Sequence, residues 1–186
     1  MNRVRQSDRL SAVQSPEDIP PSLRETPIGR LLEYHNLERP FDRYDRAAIL
    51  IGMCMDHRNQ LRLPDQFAFV LRSGGANLRP SDFKVSFAVA VGGVRSIALI
   101  GHTDCRMSEL GSRRDEFVAG LVDAGWERKA AERHFVESVP QFEIGDEIDF
   151  VIAESARLRA RYPAVSVAPL IYRVEDGRLY LVREER

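Results

Sequence analysis

The chain has 186 residues, with 27 basic and 28 acidic side chains and a formal net charge of −1. This length suits one domain with its own core, and the mixed charges without a basic stripe argue against nucleic acid or an anionic membrane as a partner. No apolar run is long enough to span a bilayer, and residues 1–24 lack the apolar core of a signal peptide, so a cytoplasmic location is expected.

The first 26 residues are predicted to form a flexible arm. Three prolines in this stretch interrupt any helix: Pro16, Pro20 and Pro21. A single domain is then expected to span residues 27–186. It begins with a short helical pattern at residues 27–35, where His35 is expected to be a surface or interface residue and not a ligand.

Two short apolar runs, at residues 47–53 and 67–72, predict neighbouring strands of a buried sheet. Residues 73–77 form a glycine-containing loop, which is not a phosphate loop because no Gly-Lys-Ser/Thr sequence follows it. A helix is predicted at residues 80–91, with apolar side chains on almost all of its surface. Such a helix is expected to lie in the core or in an oligomer interface.

After a further buried strand at residues 96–103, the remaining patterns predict three helices and a strand pair. The helices are expected at residues 114–124, at 127–136 and along the apolar stripe from Ile144 to Leu158. The strands are expected at residues 165–174 and 178–182, on either side of a Glu-Asp-Gly turn. Strands that alternate with helices predict an α/β fold, with one mainly parallel central β-sheet flanked by helices.

Three potential metal ligands follow two of these predicted strands. Cys54 ends the first strand, and His102 and Cys105 lie at and just beyond the end of the third. Because sites in open α/β sheets form at the carboxyl ends of the strands, we expect these side chains to meet. Two thiolates and one imidazole suit a tetrahedral Zn²⁺ whose fourth position is left to water. The chain has only these two cysteines, and in a reducing compartment ligands or free thiols are expected before a disulfide.

The same residues carry a resemblance to a known family. Cys54-Met55-Asp56-His57-Arg58 followed by His102-Thr103-Asp104-Cys105 resembles the zinc signature of the β-class carbonic anhydrases. Arg72-Ser73-Gly74-Gly75, which lies between them, looks like a modified form of that family's Arg-Asn-Ala-Gly segment. The resemblance is close over residues 45–107 and looser over residues 165–182.

The resemblance implies a β-carbonic anhydrase-like fold and reversible hydration of carbon dioxide to bicarbonate by zinc-bound hydroxide. Asp56 and Arg58 would be the catalytic pair that hydrogen-bonds the hydroxide, with a structural salt bridge as the alternative. Arg72 is expected to make a structural hydrogen bond. In this family an N-terminal helix packs on a partner subunit, so a homodimer or a higher homo-oligomer is expected.

Three residues depart from the family's pattern. Ser73 and Gly74 replace its Asn-Ala, and Arg106 replaces the small glycine after the last ligand. These changes leave two alternatives open: a zinc hydrolase of carbonyl sulfide or carbon disulfide, and a non-catalytic zinc-binding homologue. The Arg106 side chain is expected either to face solvent or an acidic partner such as Glu109, or to lie over the mouth of the pocket.

Overall fold

A six-stranded sheet forms the centre of the molecule in the computed structural model, which describes residues 8–184. In chain order the strands are β1 (Leu10–Ala12), β2 (Ile49–Cys54), β3 (Ala68–Ser73), β4 (Ser96–His102), β5 (Ser166–Arg173) and β6 (Arg178–Val182). Their order across the sheet is β1-β6-β5-β4-β2-β3. The strands from β5 through β4 and β2 to β3 are parallel to their neighbours, whereas β6 and β1 are antiparallel to theirs. The predicted single-domain α/β fold with a mainly parallel sheet is therefore confirmed.

Six α-helices accompany this sheet in the described residues; four pack on its two faces, and the fourth and fifth along the chain pack mainly on each other. They are α1 (Pro21–Arg24), α2 (Pro27–Asn36), α3 (Asp82–Ala90), α4 (Arg114–Asp123), α5 (Arg128–Phe142) and α6 (Glu147–Arg161). Helix α5 runs six residues past its predicted end and includes Pro140 in its last turn. Within residues 8–184, no helix combines the length and apolar character needed to cross a membrane.

The continuous apolar runs are explained by a core on each face of the sheet. Ile51 of β2 belongs to the same buried cluster as Leu31 of α2, while the neighbouring Leu50 packs in a second cluster with Val85 of α3 and Val151 of α6. Successive strand residues point to opposite faces, so a strand covered on both sides needs apolar side chains at nearly every position. Strand β2 is buried at all of its positions for this reason.

The stretch predicted as a flexible arm is packed against the domain from Leu10 onward. Strand β1 pairs with β6, and the side chains of Val13 and Ile19 are only 1% and 0% exposed. Prolines prevent a continuous helix, but they do not prevent an extended strand or short turns whose apolar side chains are buried. Residues 1–7 of the predicted arm lie outside the described part of the chain.

Candidate metal centre

The three predicted ligands lie together at the carboxyl ends of the two inner strands. Strands β2 and β4 are parallel neighbours, with Met53 aligned with Ile100, so Cys54 and His102 leave the sheet side by side. Cys105 lies in the turn after β4 and reaches the same point. The ligand atoms of Cys54, His102 and Cys105 all lie within 4.8 Å of one another, and all three residues are buried. The cluster fits a metal site.

Cys54 is held by a backbone donor of the glycine loop. The Gly75 N–H donates to Cys54 Sγ at 3.3 Å, a contact that favours the thiolate. Gly75 has a φ of 60°, and a Cβ at this position would lie 2.7 Å from Ile144 Cγ2. Only glycine fits both the backbone conformation and the space, so the loop requires it.

His102 presents a free nitrogen to the cluster. Its Nδ1 lies 2.9 Å from the Thr103 carbonyl oxygen, which makes Nδ1 the protonated donor. Its Nε2 is buried and, among the described residues, has no hydrogen-bond partner. A buried acceptor without a partner is costly, and a metal ion bound at Nε2 would remove that cost. This orphaned nitrogen is the structural observation that supports a metal most directly.

The two thiols share their protons unequally. The hydrogen bond from Cys105 lowers the pKa of Cys54 to about 4, helped by His102 and opposed by burial. The same interaction with the Cys54 thiolate, together with burial, raises the pKa of Cys105. One thiolate therefore forms readily, while the second proton is retained until a cation displaces it.

Asp56 and Arg58 form a tight ion pair beside the cluster. Arg58 Nη2 lies 2.7 Å from Asp56 Oδ2, and Nε lies 3.0 Å from Oδ1. The backbone N–H of Arg58 also donates to Oδ1 at 2.9 Å. This guanidinium lowers the pKa of the Asp56 carboxyl, which is only 15% exposed and stays ionised.

Arg72 makes the structural hydrogen bonds expected of it. Its guanidinium donates to the carbonyl oxygens of Cys54 at 3.1 Å and Asn59 at 2.9 Å. These contacts fix the chain after β2, where Asp56 and Arg58 lie. Ser73, one of the departures from the family's pattern, donates from Oγ to the Asn77 carbonyl at 2.7 Å and so closes the glycine loop.

Gly74 makes room for an apolar neighbour. A Cβ at Gly74 would lie 3.1 Å from Met107 Cε, so the alanine of the family's pattern would press on Met107 here. Met107 in turn accepts a backbone hydrogen bond from Ile144, whose side chain contacts the Gly75 position. Met107 and Ile144 therefore give the glycine loop an apolar wall.

Arg106 combines its two predicted courses, because its side chain faces solvent and also borders a cavity beside Cys105. Its side chain is 71% exposed, and its nearest acidic partner is Glu116 at 3.9 Å, not Glu109. It borders a cavity of about 430 Å³ that also contacts Cys105. Charged side chains dominate the remaining walls, so this cavity is polar: Asp104, Glu109, Arg113, Asp146 and Glu147.

Two features of the site were missed at the level of the sequence. The backbone N–H of Cys105 donates to Glu147 Oε1 at 3.1 Å, from the first turn of α6. Asp104 pairs with Arg58 across 46 residues of chain. The sequence marks Glu147 only as an acidic residue at a helix start and Asp104 only as a variable position in the His-x-x-Cys motif. Both contacts depend on how the loops meet, which no local pattern reports.

No family model matches the chain, and no curated protein matches it in sequence. Solved structures do match its fold. A β-carbonic anhydrase of Trichomonas vaginalis has a TM-score of 0.63 at 17% identity, covering 84% of this chain and 94% of that one. A carbonic anhydrase of Glaciozyma antarctica gives 0.57 at 24% identity, with coverages of 73% and 83%. The apo form of a carbon disulfide hydrolase gives 0.56 at 17% identity, with coverages of 75% and 80%. At these identities the comparisons establish the fold, which is that of the β-carbonic anhydrases.

Proposed function

We propose that this chain is a zinc-dependent carbonic anhydrase that interconverts carbon dioxide and bicarbonate. The observation that carries the proposal is the buried cluster of Cys54, His102 and Cys105, with the unpartnered Nε2 of His102 facing two sulfurs. Its setting in a β-carbonic anhydrase fold supports the same reaction. Two sulfurs and one imidazole nitrogen would hold Zn²⁺ and leave one position for water.

When bound, zinc would supply a Lewis acid and a water molecule that ionises near neutral pH. The protein's own contribution is orientation. The ionised Asp56 accepts a hydrogen bond from the attacking water and so aims a lone pair at the carbon of the substrate. Arg58 keeps Asp56 ionised and fixed, because the fork of its guanidinium contacts both carboxylate oxygens.

The wall beside the glycine loop suits a small apolar substrate. Met107 and Ile144 lie against the positions of Gly74 and Gly75, next to the sulfur of Cys54. Carbon dioxide needs no polar recognition, and an apolar wall keeps extra water from competing with it.

The test is stopped-flow hydration of carbon dioxide by the zinc-loaded protein. We expect turnover well above that of zinc in buffer, and a loss of about 100-fold or more in Asp56→Asn with zinc retained. The exposed Asp65→Asn is the matched control and should behave as the wild type. Wild-type turnover no faster than buffer, at full zinc content, would contradict the proposal.

A hydrolase of carbon disulfide or carbonyl sulfide is the second candidate. It is favoured by the similarity to a carbon disulfide hydrolase and by Gly74, where the pocket differs from the family's pattern. Sulfide release from either substrate, measured on the same zinc-loaded samples, distinguishes this reaction from hydration. Full zinc with neither reaction would identify a non-catalytic zinc-binding homologue.

We also infer that a second copy of the chain covers the outer side of α3. Phe83, Phe87 and Val91 are 82%, 50% and 70% exposed there. The neighbouring β3 is the last strand of the described sheet, and its Phe69, on the same face of the sheet as α3, is also exposed. An apolar patch beside an open strand edge fits a self-complementary interface, and the near-zero net charge does not oppose it. A cytoplasmic location remains part of the proposal, because a reducing compartment keeps both thiols available for the metal.

A further inference from the structure

The guanidinium of Arg58 is bound from two sides. Asp56, two residues earlier, contacts Nε and Nη2. Asp104 approaches from the other side, with Oδ2 2.9 Å from Nη1 and its carbonyl oxygen 3.0 Å from Nη2. Arg58 lies in the loop that follows Cys54 at the end of β2. It therefore connects this loop to the loop after β4, in which Asp104 directly precedes Cys105.

The backbone of Asp104 adopts the conformation that this contact needs. Its φ is 58°, in the left-handed region that residues other than glycine rarely adopt. Aspartate and asparagine tolerate the region better than other residues do. In this conformation both the carboxylate and the carbonyl oxygen of Asp104 reach the same guanidinium. Glycine would adopt the backbone conformation more easily, but it would supply only the carbonyl.

The contact is placed to control geometry and not stability. The side chain of Asp104 is 69% exposed, and exposed ion pairs contribute little to folding. A second anchor does restrict the rotamers of Arg58, however, and keeps its fork aligned with the Asp56 carboxylate. A change in the alignment of Arg58 should therefore change which groups the Asp56 carboxylate contacts.

We propose that Asp104 is a positioning residue that, through Arg58, keeps the Asp56 carboxylate off the metal and the fourth coordination position open. This role rests on the proposed zinc site. A carboxylate that leaves its guanidinium partner beside a bound zinc ion is itself a good oxygen ligand. Loss of Asp104 loosens Arg58, so that Asp56 spends more time bound to the metal and blocks the position that water needs.

Three substitutions separate the carboxylate from the backbone. Asp104→Gly keeps the left-handed backbone and the carbonyl contact but removes the carboxylate. Asp104→Asn keeps the shape and an acceptor oxygen but removes the charge, so it should restore part of the function. Asp104→Ala also removes the carboxylate but strains the backbone. Its difference from Asp104→Gly therefore measures the effect of the strain alone. Glu184→Gln removes the bidentate partner of Arg159 elsewhere on the surface and is the matched control.

The readout is the affinity of azide for the cobalt-substituted protein, followed by its visible absorption at full cobalt content. If Asp56 occupied the open position in about nine molecules of ten, azide would bind about tenfold more weakly. We expect a loss of this order in Asp104→Gly, a smaller loss in Asp104→Asn and none in Glu184→Gln. Adding Asp56→Asn to Asp104→Gly should restore the affinity, because the competing carboxylate is gone.

Two results would overturn the role of Asp104 alone. One is an azide affinity within about twofold of the wild type in Asp104→Gly. The other is a loss that persists unchanged when Asp56→Asn is added. A wild-type protein that bound no cobalt at Cys54, His102 and Cys105 would instead overturn the proposed metal site, and the role of Asp104 with it.

Discussion

The inner strands and the outer strands of the sheet differ in how they are covered. Strands β2 and β4 are buried at all of their positions, whereas β3 at one edge is exposed at half of its positions. At the other edge, β6 is covered by the three residues of β1. The candidate metal centre lies only on the inner pair. Its donors therefore rest on backbone that cannot move without disturbing two cores.

The two edges also differ from each other. An uncovered strand edge offers unpaired backbone groups to other chains, and proteins usually cover or disrupt it. Here the chain's own N-terminal segment covers β6, whereas β3 adjoins the exposed apolar side of α3. The first edge should contribute to the stability of the monomer and the second to assembly.

The largest effect is expected at the covered edge. Ile19 is fully buried in the same cluster as Leu31 of α2 and Leu179 of β6, so Ile19→Ala should lower the free energy of unfolding by about 2–4 kcal/mol. The control is Val136→Ala on the exposed side of α5, which should cost less than about 0.5 kcal/mol. Urea denaturation of both variants measures the difference. Equal midpoints would mean that the N-terminal segment is not packed as described.

A smaller loss is expected in the inner strand β2. A Cβ at Gly52 would lie 2.6 Å from Leu78 Cδ1 and 3.1 Å from Leu99 Cδ1, so Gly52→Ala should cost about 1–3 kcal/mol through overpacking. A Cβ at Gly120 in α4 would meet no atom of the surrounding structure within 4 Å, and Gly120→Ala should instead stabilise the protein by up to about 1 kcal/mol. Opposite shifts in the same denaturation experiment would support the difference between the buried strand and an exposed helix. Stabilisation by both substitutions would contradict it.

At the open edge, substitutions should change assembly more than folding. Phe83→Ser with Phe87→Ser removes apolar surface that the monomer leaves exposed, so the monomer should lose less than about 0.5–1 kcal/mol. Light scattering at micromolar concentration should show a dimer for the wild type and a monomer for the double variant. A wild-type protein that is already a monomer at this concentration would contradict the proposed interface.

The smallest effect concerns His35 of α2. Nδ1 accepts a hydrogen bond from the Arg62 backbone N–H at 3.1 Å, and Nε2 donates to the Gly177 carbonyl at 2.9 Å. Burial lowers the pKa of His35 below its ordinary value of 6.5, although the Gly177 carbonyl opposes the shift. The unfolded chain therefore binds this proton more readily than the folded one does. The stability that the neutral His35 side chain contributes is therefore fully present above pH 6.5 and is lost as the pH falls through its lowered pKa.

His35→Gln should reduce this pH dependence. Denaturation curves at a pH above and a pH below 6.5 should show a larger loss of stability on acidification in the wild type than in the variant. The same loss in both proteins would mean that His35 does not titrate in the environment described here.

The contrast between inner and outer strands also explains what could be predicted from the sequence. The apolar runs that end at Cys54 and His102 identify buried parallel strands, so the parallel sheet and the position of the three candidate ligands followed from local pattern and topology. Strand β1 did not, because a strand of three residues before a series of prolines carries no periodic signal. Its conformation depends on pairing with β6, at the far end of the chain.

The site shows the same limit. Asp56 and Arg58 could be paired from their spacing alone, and the structure brings them together. The contact between Asp104 and Arg58 could not, because it depends on an uncommon backbone angle and on the separation of two loops. Local spacing identifies which residue types are available, whereas the packing of the loops determines what each of them contacts.

Metal analysis of the purified protein is the direct test of a zinc site at the ends of β2 and β4. We expect about one zinc per chain in the wild type, with most of it lost in Cys54→Ser and in Cys105→Ser. His134→Ala, which alters a histidine that packs against the rings of Phe117 and Trp126, should retain full zinc. Full zinc in a variant that carries both serine substitutions would contradict a zinc site at these cysteines, because the metal would then be bound elsewhere.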